Sequence, residues 1–189
     1  MKKLIVTTLA SFATLAAFAQ GQVNFVNVSG SPALNAPIFD GLNTTVKLAG
    51  ANYQAGLYAG PTSTSLAYVG NSTAFLTGGG AGYFNGGTTT LTGIAGGATA
   101  WLSVWAWDAT LGGTTAGATL TQAIASGKPD VYGFSAPFSV VTGNPAGSPP
   151  TTPAVMVGLT SFTMVVPEPS TFALAGLGAA ALMIFRRRK

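Results

Sequence analysis

Apolar and polar residues alternate through the middle of the chain, and the alternation breaks at glycine, proline or asparagine about every ten residues. Val23-Asn24-Phe25-Val26-Asn27-Val28 opens the series. Residues 53–59 follow with Tyr53, Ala55 and Leu57 on one face, and Gly60-Pro61 ends them. Short β runs at 66–69 and 73–77 are each closed by Gly or Asn. Gly78-Gly79-Gly80 and Asn85-Gly86-Gly87 read as turns around Gly82-Tyr83-Phe84, and 88–92 reads as a further strand. Short strands separated by glycine-rich turns predict a mainly β fold, namely a single antiparallel β-sandwich of Ig-like or jelly-roll-like form.

The strongest strand pattern lies at 99–108. Trp101, Ser103, Trp105 and Trp107 share one face, and Ala100, Leu102, Val104 and Ala106 share the other. Both faces are largely apolar, which predicts a central strand covered on both sides. Thr119-Leu120-Thr121-Gln122 has the form of a capping box, in which the Thr119 and Gln122 side chains satisfy each other's backbone N–H groups. With Gly127 as the stop, it predicts one short helix over 120–126. Residues 137–141 read as another strand. Residues 143–153, with four prolines, read as a loop, and 154–165 as a last strand or strand pair. No fixed-period repeat is present.

The two ends have a different pattern. Met1-Lys2-Lys3 is basic, 4–16 is apolar, and Ala17-Phe18-Ala19 has small residues flanking the middle position. This predicts a secretory signal peptide over 1–19, cut by signal peptidase after Ala19 to expose Gln20. At the far end, Val166-Pro167-Glu168-Pro169-Ser170-Thr171 leads into the uncharged apolar run 172–185, and the chain stops on Arg186-Arg187-Arg188-Lys189. Pro167 and Pro169 fix φ and extend the residue before each, so the motif is rigid and short of two backbone donors. A helix covering the apolar run would span roughly 21 Å against a hydrocarbon core of roughly 30 Å. That length also fits a buried core helix. Against this stand the terminal position, apolarity all round and the four adjoining cations, whose long stems extend the reach. A C-terminal transmembrane helix over about 170–186 is therefore expected. The basic cluster stays on the cytoplasmic side and places the body, 20–165, outside. The chain thus divides into signal peptide (1–19), β-sandwich body (20–165) and sorting and anchor segment (166–189).

The tail 166–189 resembles the PEP-CTERM sorting signal of bacterial surface and secreted proteins, which is also called the ice-binding protein C-terminal domain. The resemblance implies recognition by an exosortase, an integral-membrane, transpeptidase-like cysteine protease. Pro167, Glu168 and Pro169 would be the recognised motif, as substrate and not as catalytic site. The body stretches Gln22-Val23-Asn24-Phe25, Gln54-Ala55-Gly56-Leu57-Tyr58-Ala59-Gly60-Pro61, Trp105-Ala106-Trp107-Asp108 and Val157-Gly158-Leu159-Thr160-Ser161-Phe162 are similar to short surface proteins that carry this tail.

Charge changes the picture once it is divided by segment. The formal +4 comes from the ends; the body holds Lys47 and Lys128 against Asp40, Asp108 and Asp130, a net charge of −1. Nucleic-acid binding needs clustered cations, so no nucleic-acid partner is expected. The chain contains no His and no Cys, which excludes Ser-His-Asp and Cys-His catalysis and most zinc sites. The glycine runs lack the Lys-Ser/Thr of a phosphate-binding loop.

Four weaker readings remain. Two of Asp40, Asp108 and Asp130 could face each other for glycoside hydrolysis, although turn and strand-end aspartates explain them better. Asp40-Gly41-Leu42-Asn43 offers two oxygen ligands where Ca²⁺ needs six to eight. Thr88-Thr89-Thr90-Leu91-Thr92 invites an ice-binding surface but lacks a repeat. Trp101, Trp105 and Trp107 could stack on sugar rings, joined by Tyr53, Tyr58, Tyr68 and Tyr83, or could simply be core. The expected function is an exported cell-surface or extracellular-matrix protein without catalytic activity, metal or cofactor. Its expected partners are an exosortase-type sorting protease, signal peptidase, the membrane and exopolysaccharide. The alternative is a carbohydrate-binding module using the Trp101, Trp105 and Trp107 face.

Overall fold

The computed structural model describes residues 20–164 apart from 42, 44, 112, 114–116 and 129–130, and of Asn71 the backbone alone. The predicted signal peptide, the sorting motif and the helix at about 170–186 lie outside the described residues, as does Asp130.

The first strand, β1 (Gln20–Val26), shows how the alternation works. Gly21, Val23 and Phe25 are buried while Gln20, Gln22 and Asn24 face outward. β2 (Val28–Ser29) and β3 (Leu34–Asn35) form a small hairpin. β4 (Gly50–Gly60), β5 (Ala67–Phe75), β6 (Asn85–Ala95) and β7 (Thr99–Asp108) come next, then α1 (Leu120–Ala125), β8 (Tyr132–Phe134), β9 (Phe138–Val141) and β10 (Ala154–Val155). One sheet has the order β10-β1-β6. In the other, β5-β4-β7 run side by side, and β8 and β9 share the far edge of β7.

The inner faces of the two sheets fill one core. Val23 and Phe25 from β1 and Leu91 and Ile94 from β6 belong to the same buried cluster as Ala55 and Leu57 from β4 and Ala100, Leu102, Val104 and Ala106 from β7. Phe84 sits at the junction, its ring 4.7 Å from Phe25 and 5.8 Å from Phe75. Asn27, also fully buried, ties two passing segments to this junction with three bonds. Its Nδ2 donates to the carbonyls of Ala36 and Gly82, each at 2.8 Å, and its Oδ1 accepts from the Phe84 N–H at 2.8 Å.

Several elements differ from the sequence expectation. The runs 66–69 and 73–77 form one strand, because Gly70 at φ 98° lets β5 bulge against β4 and resume pairing. The expected strand 137–141 is preceded on the same edge of β7 by a second short strand, 132–134, that no pattern announced, and Pro137 stands in the interruption between them. Ser135 bridges the interruption: its N–H donates to the Val104 carbonyl at 2.9 Å, and its Oγ accepts from the Val104 N–H at 3.0 Å.

The expected last strand or strand pair over 154–165 is, among the described residues, a short strand followed by irregular chain. That strand, Ala154–Val155, runs parallel to β1, and Thr163 adds a single parallel bridge to Phe39, so the architecture is not wholly antiparallel. The reason lies in the crossing before it. Gln22 exchanges both backbone hydrogen bonds with Gly143, and the proline loop then returns the chain alongside β1 in the same direction. Met156, Leu159 and Met164 spend the remaining stretch filling the core.

Candidate functional site

The tryptophans of β7 point away from the main core. Their face is the outer face of the larger sheet, and cover over it is uneven. Trp107 is buried beneath α1 in a second cluster with Ala109, Leu120, Ala123 and Val131. Its indole N–H donates to the Ala118 carbonyl at 2.9 Å, which fixes the ring. The helix that covers it starts where predicted: the Gln122 N–H donates to the Thr119 Oγ1, and the Thr119 N–H donates to the Gln122 Oε1 at 2.8 Å. Trp101 and Trp105 are half-buried. The three rings therefore share a face, as the alternation required, but not an environment.

Trp105 belongs to a row of aromatic rings laid across the strands. Tyr68 on β5 lies 5.4 Å from Tyr58 on β4, Tyr58 lies 5.1 Å from Trp105, and Trp105 stacks on Phe134 of β8 at 4.6 Å and on Tyr132 at 6.3 Å. The ends of the row are open to solvent: Tyr68 is 44% and Phe134 47% exposed. Pleating explains the alignment. Tyr58 pairs with Tyr68, and Trp105 with Phe134, so cross-strand partners stand on the same side. Burial pushes the Tyr58 phenol above the ordinary tyrosine value, and the neighbouring Tyr68 adds to the effect.

Beside the row lies a cleft of about 640 Å³. Tyr58, Tyr68 and Trp107 wall it, and Gln54, Ser72 and Thr121 contribute amide and hydroxyl groups. Gly56 lets two of these rings lie close over β4. A Cβ at that position would stand 3.0 Å from the Tyr68 ring and 3.1 Å from the Trp107 ring. No charged side chain lines the cleft among the described residues.

The other sequence candidates are scattered. Asp108 turns the chain at the end of β7, where its Oδ1 accepts from the Thr110 N–H at 2.7 Å and from the Thr110 hydroxyl at 2.6 Å. Asp40 sits beside the Phe39–Lys47 bridge, with its N–H donating to the Val46 carbonyl. The Asn43 Oδ1 accepts from the Thr45 N–H and hydroxyl inside its own turn. Thr88, Thr90 and Thr92 stand in single file on the outer face of β6, while Thr89 points into the core. Tyr53 packs against the main core, and the Tyr83 hydroxyl donates to the Asn35 side chain at 2.7 Å, so neither joins the aromatic row. Tyr132 and Phe134 do join it. Their only trace in the sequence is a three-residue alternation around Gly133, too short to stand out.

Gln20, the residue expected to become the mature N-terminus, opens β1 opposite Ala95. Ala17 and Ala19, the motif Pro167, Glu168 and Pro169, and the basic cluster Arg186, Arg187, Arg188 and Lys189 lie outside the described residues. Among the described residues no helix is long and apolar enough to cross a membrane. At the boundary, Met164 is 2% exposed, its N–H donates to the Phe39 carbonyl at 3.1 Å, and the Phe39 N–H donates to the Phe162 carbonyl at 3.0 Å. The three residues before the tail are thus fastened to the body.

The described residues define a mostly β protein whose last described segment is tied into its own core. Residues 165–189 match the family model of the PEP-CTERM protein-sorting motif. The chain carries that motif, and the motif implies export, membrane-associated sorting and processing by an exosortase. No curated protein and no solved structure matches the chain.

Proposed function

We propose that this chain is an exported, non-catalytic β-sandwich protein, released from its signal peptide at Ala19–Gln20, held in the cytoplasmic membrane by the tail with its body outside, and then displayed at the cell surface or in an exopolysaccharide-rich matrix. The observation that carries the proposal is the join between body and tail. The PEP-CTERM match begins at residue 165, directly after the core-bound Met164. An exosortase acting at Pro167, Glu168 and Pro169 would remove the anchor without drawing out any part of the hydrophobic core. The two sheets with a shared core support the sandwich, and the net charge of −1 on the body suits a neutral, hydroxyl-rich setting.

Intact mass spectrometry of the protein recovered from its native envelope and medium tests this. The expected species begins at Gln20 and ends between Val166 and Pro169. A species that retains Lys189 in every fraction would mean that the tail is a permanent anchor, and the matrix location would fall.

A second reading, a carbohydrate-binding module on the tryptophan face, is favoured by one specific observation: the aromatic row Tyr68, Tyr58, Trp105 and Phe134, whose two ends are open to solvent.

A further inference from the structure

The geometry points to an uncharged polysaccharide as the ligand of the cleft beside Gly56, with the chain of sugar rings continuing over the aromatic row toward Phe134. This inference deepens the carbohydrate-binding reading and rests on it. It also moves the site: Trp101 lies outside, Trp107 becomes a wall, and Tyr58, Tyr68 and Phe134 become the contacts.

The surface chemistry favours a sugar. A pyranose presents C–H groups on its faces and hydroxyls around its rim. An aromatic ring offers an electron-rich face to the C–H groups, and amides or hydroxyls at the edge of the ring meet the rim. The cleft supplies both, with rings from Tyr58, Tyr68 and Trp107 and polar groups from Gln54, Ser72 and Thr121. Its volume of about 640 Å³ falls within the roughly 300–1,000 Å³ of small-ligand clefts.

Charge narrows the ligand class. No cation lines the cleft among the described residues, so a uronate, sulfate or phosphate group would enter without a counter-charge. A buried apolar peptide anchor would find its rim hydroxyls superfluous, whereas a neutral glycan uses rings and hydroxyls together.

The row supplies length. Tyr68, Tyr58, Trp105 and Phe134 stand on four successive strands, which at the usual spacing covers about 14 Å. Trp105 is itself stacked on Phe134 and Tyr132, so the ring surface left for linked sugars is at the two exposed ends of the row, Tyr68 and Phe134. The rings are also already in place before binding. Trp107 is fixed by its bond to Ala118, and Trp105 is packed between Tyr58 and Phe134, so little side-chain freedom remains to be lost on binding.

The test uses the full-length chain in a detergent without a sugar headgroup. Binding is read by tryptophan fluorescence and by retardation in gels containing a neutral glycan (an α-glucan, a β-glucan, a mannan or a galactomannan) or alginate as the anionic comparator. At least one neutral glycan should bind and shift the emission, and alginate should bind at least tenfold more weakly. Tyr68→Ala and Phe134→Ala should each weaken neutral-glycan binding at least tenfold with little change in melting temperature, since both side chains are open to solvent. Trp101→Ala should leave it within twofold. If the wild-type chain binds a neutral glycan but Tyr68→Ala and Phe134→Ala bind as well as wild type, the site is wrong and the carbohydrate reading survives; loss on Trp101→Ala would then locate it elsewhere on the face. If neither a neutral glycan nor alginate binds, both the site and the carbohydrate reading fail; if alginate binds more tightly than every neutral glycan, the uncharged-ligand inference fails and the carbohydrate reading survives.

Discussion

Asn27 offers the sharpest test of how this fold is held together. In Asn27→Ala the side chain that joins three segments is gone. The Ala36 carbonyl and the Phe84 N–H lose the side-chain partner that each has inside the core, while the Gly82 carbonyl keeps a bond from the Ile38 N–H. Each orphaned buried group costs about 1–3 kcal/mol, so two of them, with the loss of the third bond, cost about 4 kcal/mol. A domain of this size has a total stability of about 5–15 kcal/mol, which leaves the variant folded but marginal. At roughly 4 °C per kcal/mol, the melting temperature should fall by about 15 °C.

Urea unfolding followed by tryptophan emission measures the difference. Asn35→Ala is the matched control, because that exposed amide accepts a single bond from the Tyr83 hydroxyl and should cost less than about 1 kcal/mol. Asn27→Asp separates hydrogen bonding from shape, since it keeps the outline but has no N–H to offer the two carbonyls at neutral pH. It should be at least as destabilising as Asn27→Ala. If Asn27→Ala falls within about 1 kcal/mol of Asn35→Ala, or if Asn27→Asp is as stable as wild type, the keystone role of Asn27 is wrong.

Three further outcomes are expected. Thr89→Val should stabilise the protein by about 1 kcal/mol in the same assay, because the buried Thr89 hydroxyl has no partner among the described residues and valine removes its desolvation penalty at constant shape; a loss of stability would show that the hydroxyl is satisfied in solution. Thr119→Ala should cost about 1 kcal/mol by breaking the cap of α1, and should shift Trp107 emission toward the red as its cover loosens; an unchanged spectrum and melting temperature would mean that the cap is dispensable. The raised Tyr58 value means that the folded state holds this proton longer than the unfolded state does. Its contribution to stability is therefore complete below the ordinary tyrosine value and is lost as pH rises through the raised folded value. Ultraviolet titration should show a late-ionising phenol that is lost in Tyr58→Phe, and a late phase unchanged in that variant would refute the assignment.

The parts of this protein that the sequence determined are those governed by neighbours in the chain. The period-two pattern at 99–108 placed a ten-residue strand, Thr99–Asp108, at its observed ends and assigned its two faces, because pleating alone decides which side a residue takes. The Thr119–Gln122 box placed the helix, because its hydrogen bonds close within four residues. The sorting motif was legible for the same reason: a sorting enzyme reads a short linear address.

Long-range packing decided the rest. Nothing local to Trp107 says that α1 will cover it while Trp105 stays half open, or that Tyr132 and Phe134 will arrive on the next strand to complete the row. The parallel return of β10, the Ser135 bridge and the three bonds of Asn27 each join segments far apart in the chain. Whether an aromatic ring becomes core, wall or open platform depends on which distant segment settles over it, and only the folded chain decides that.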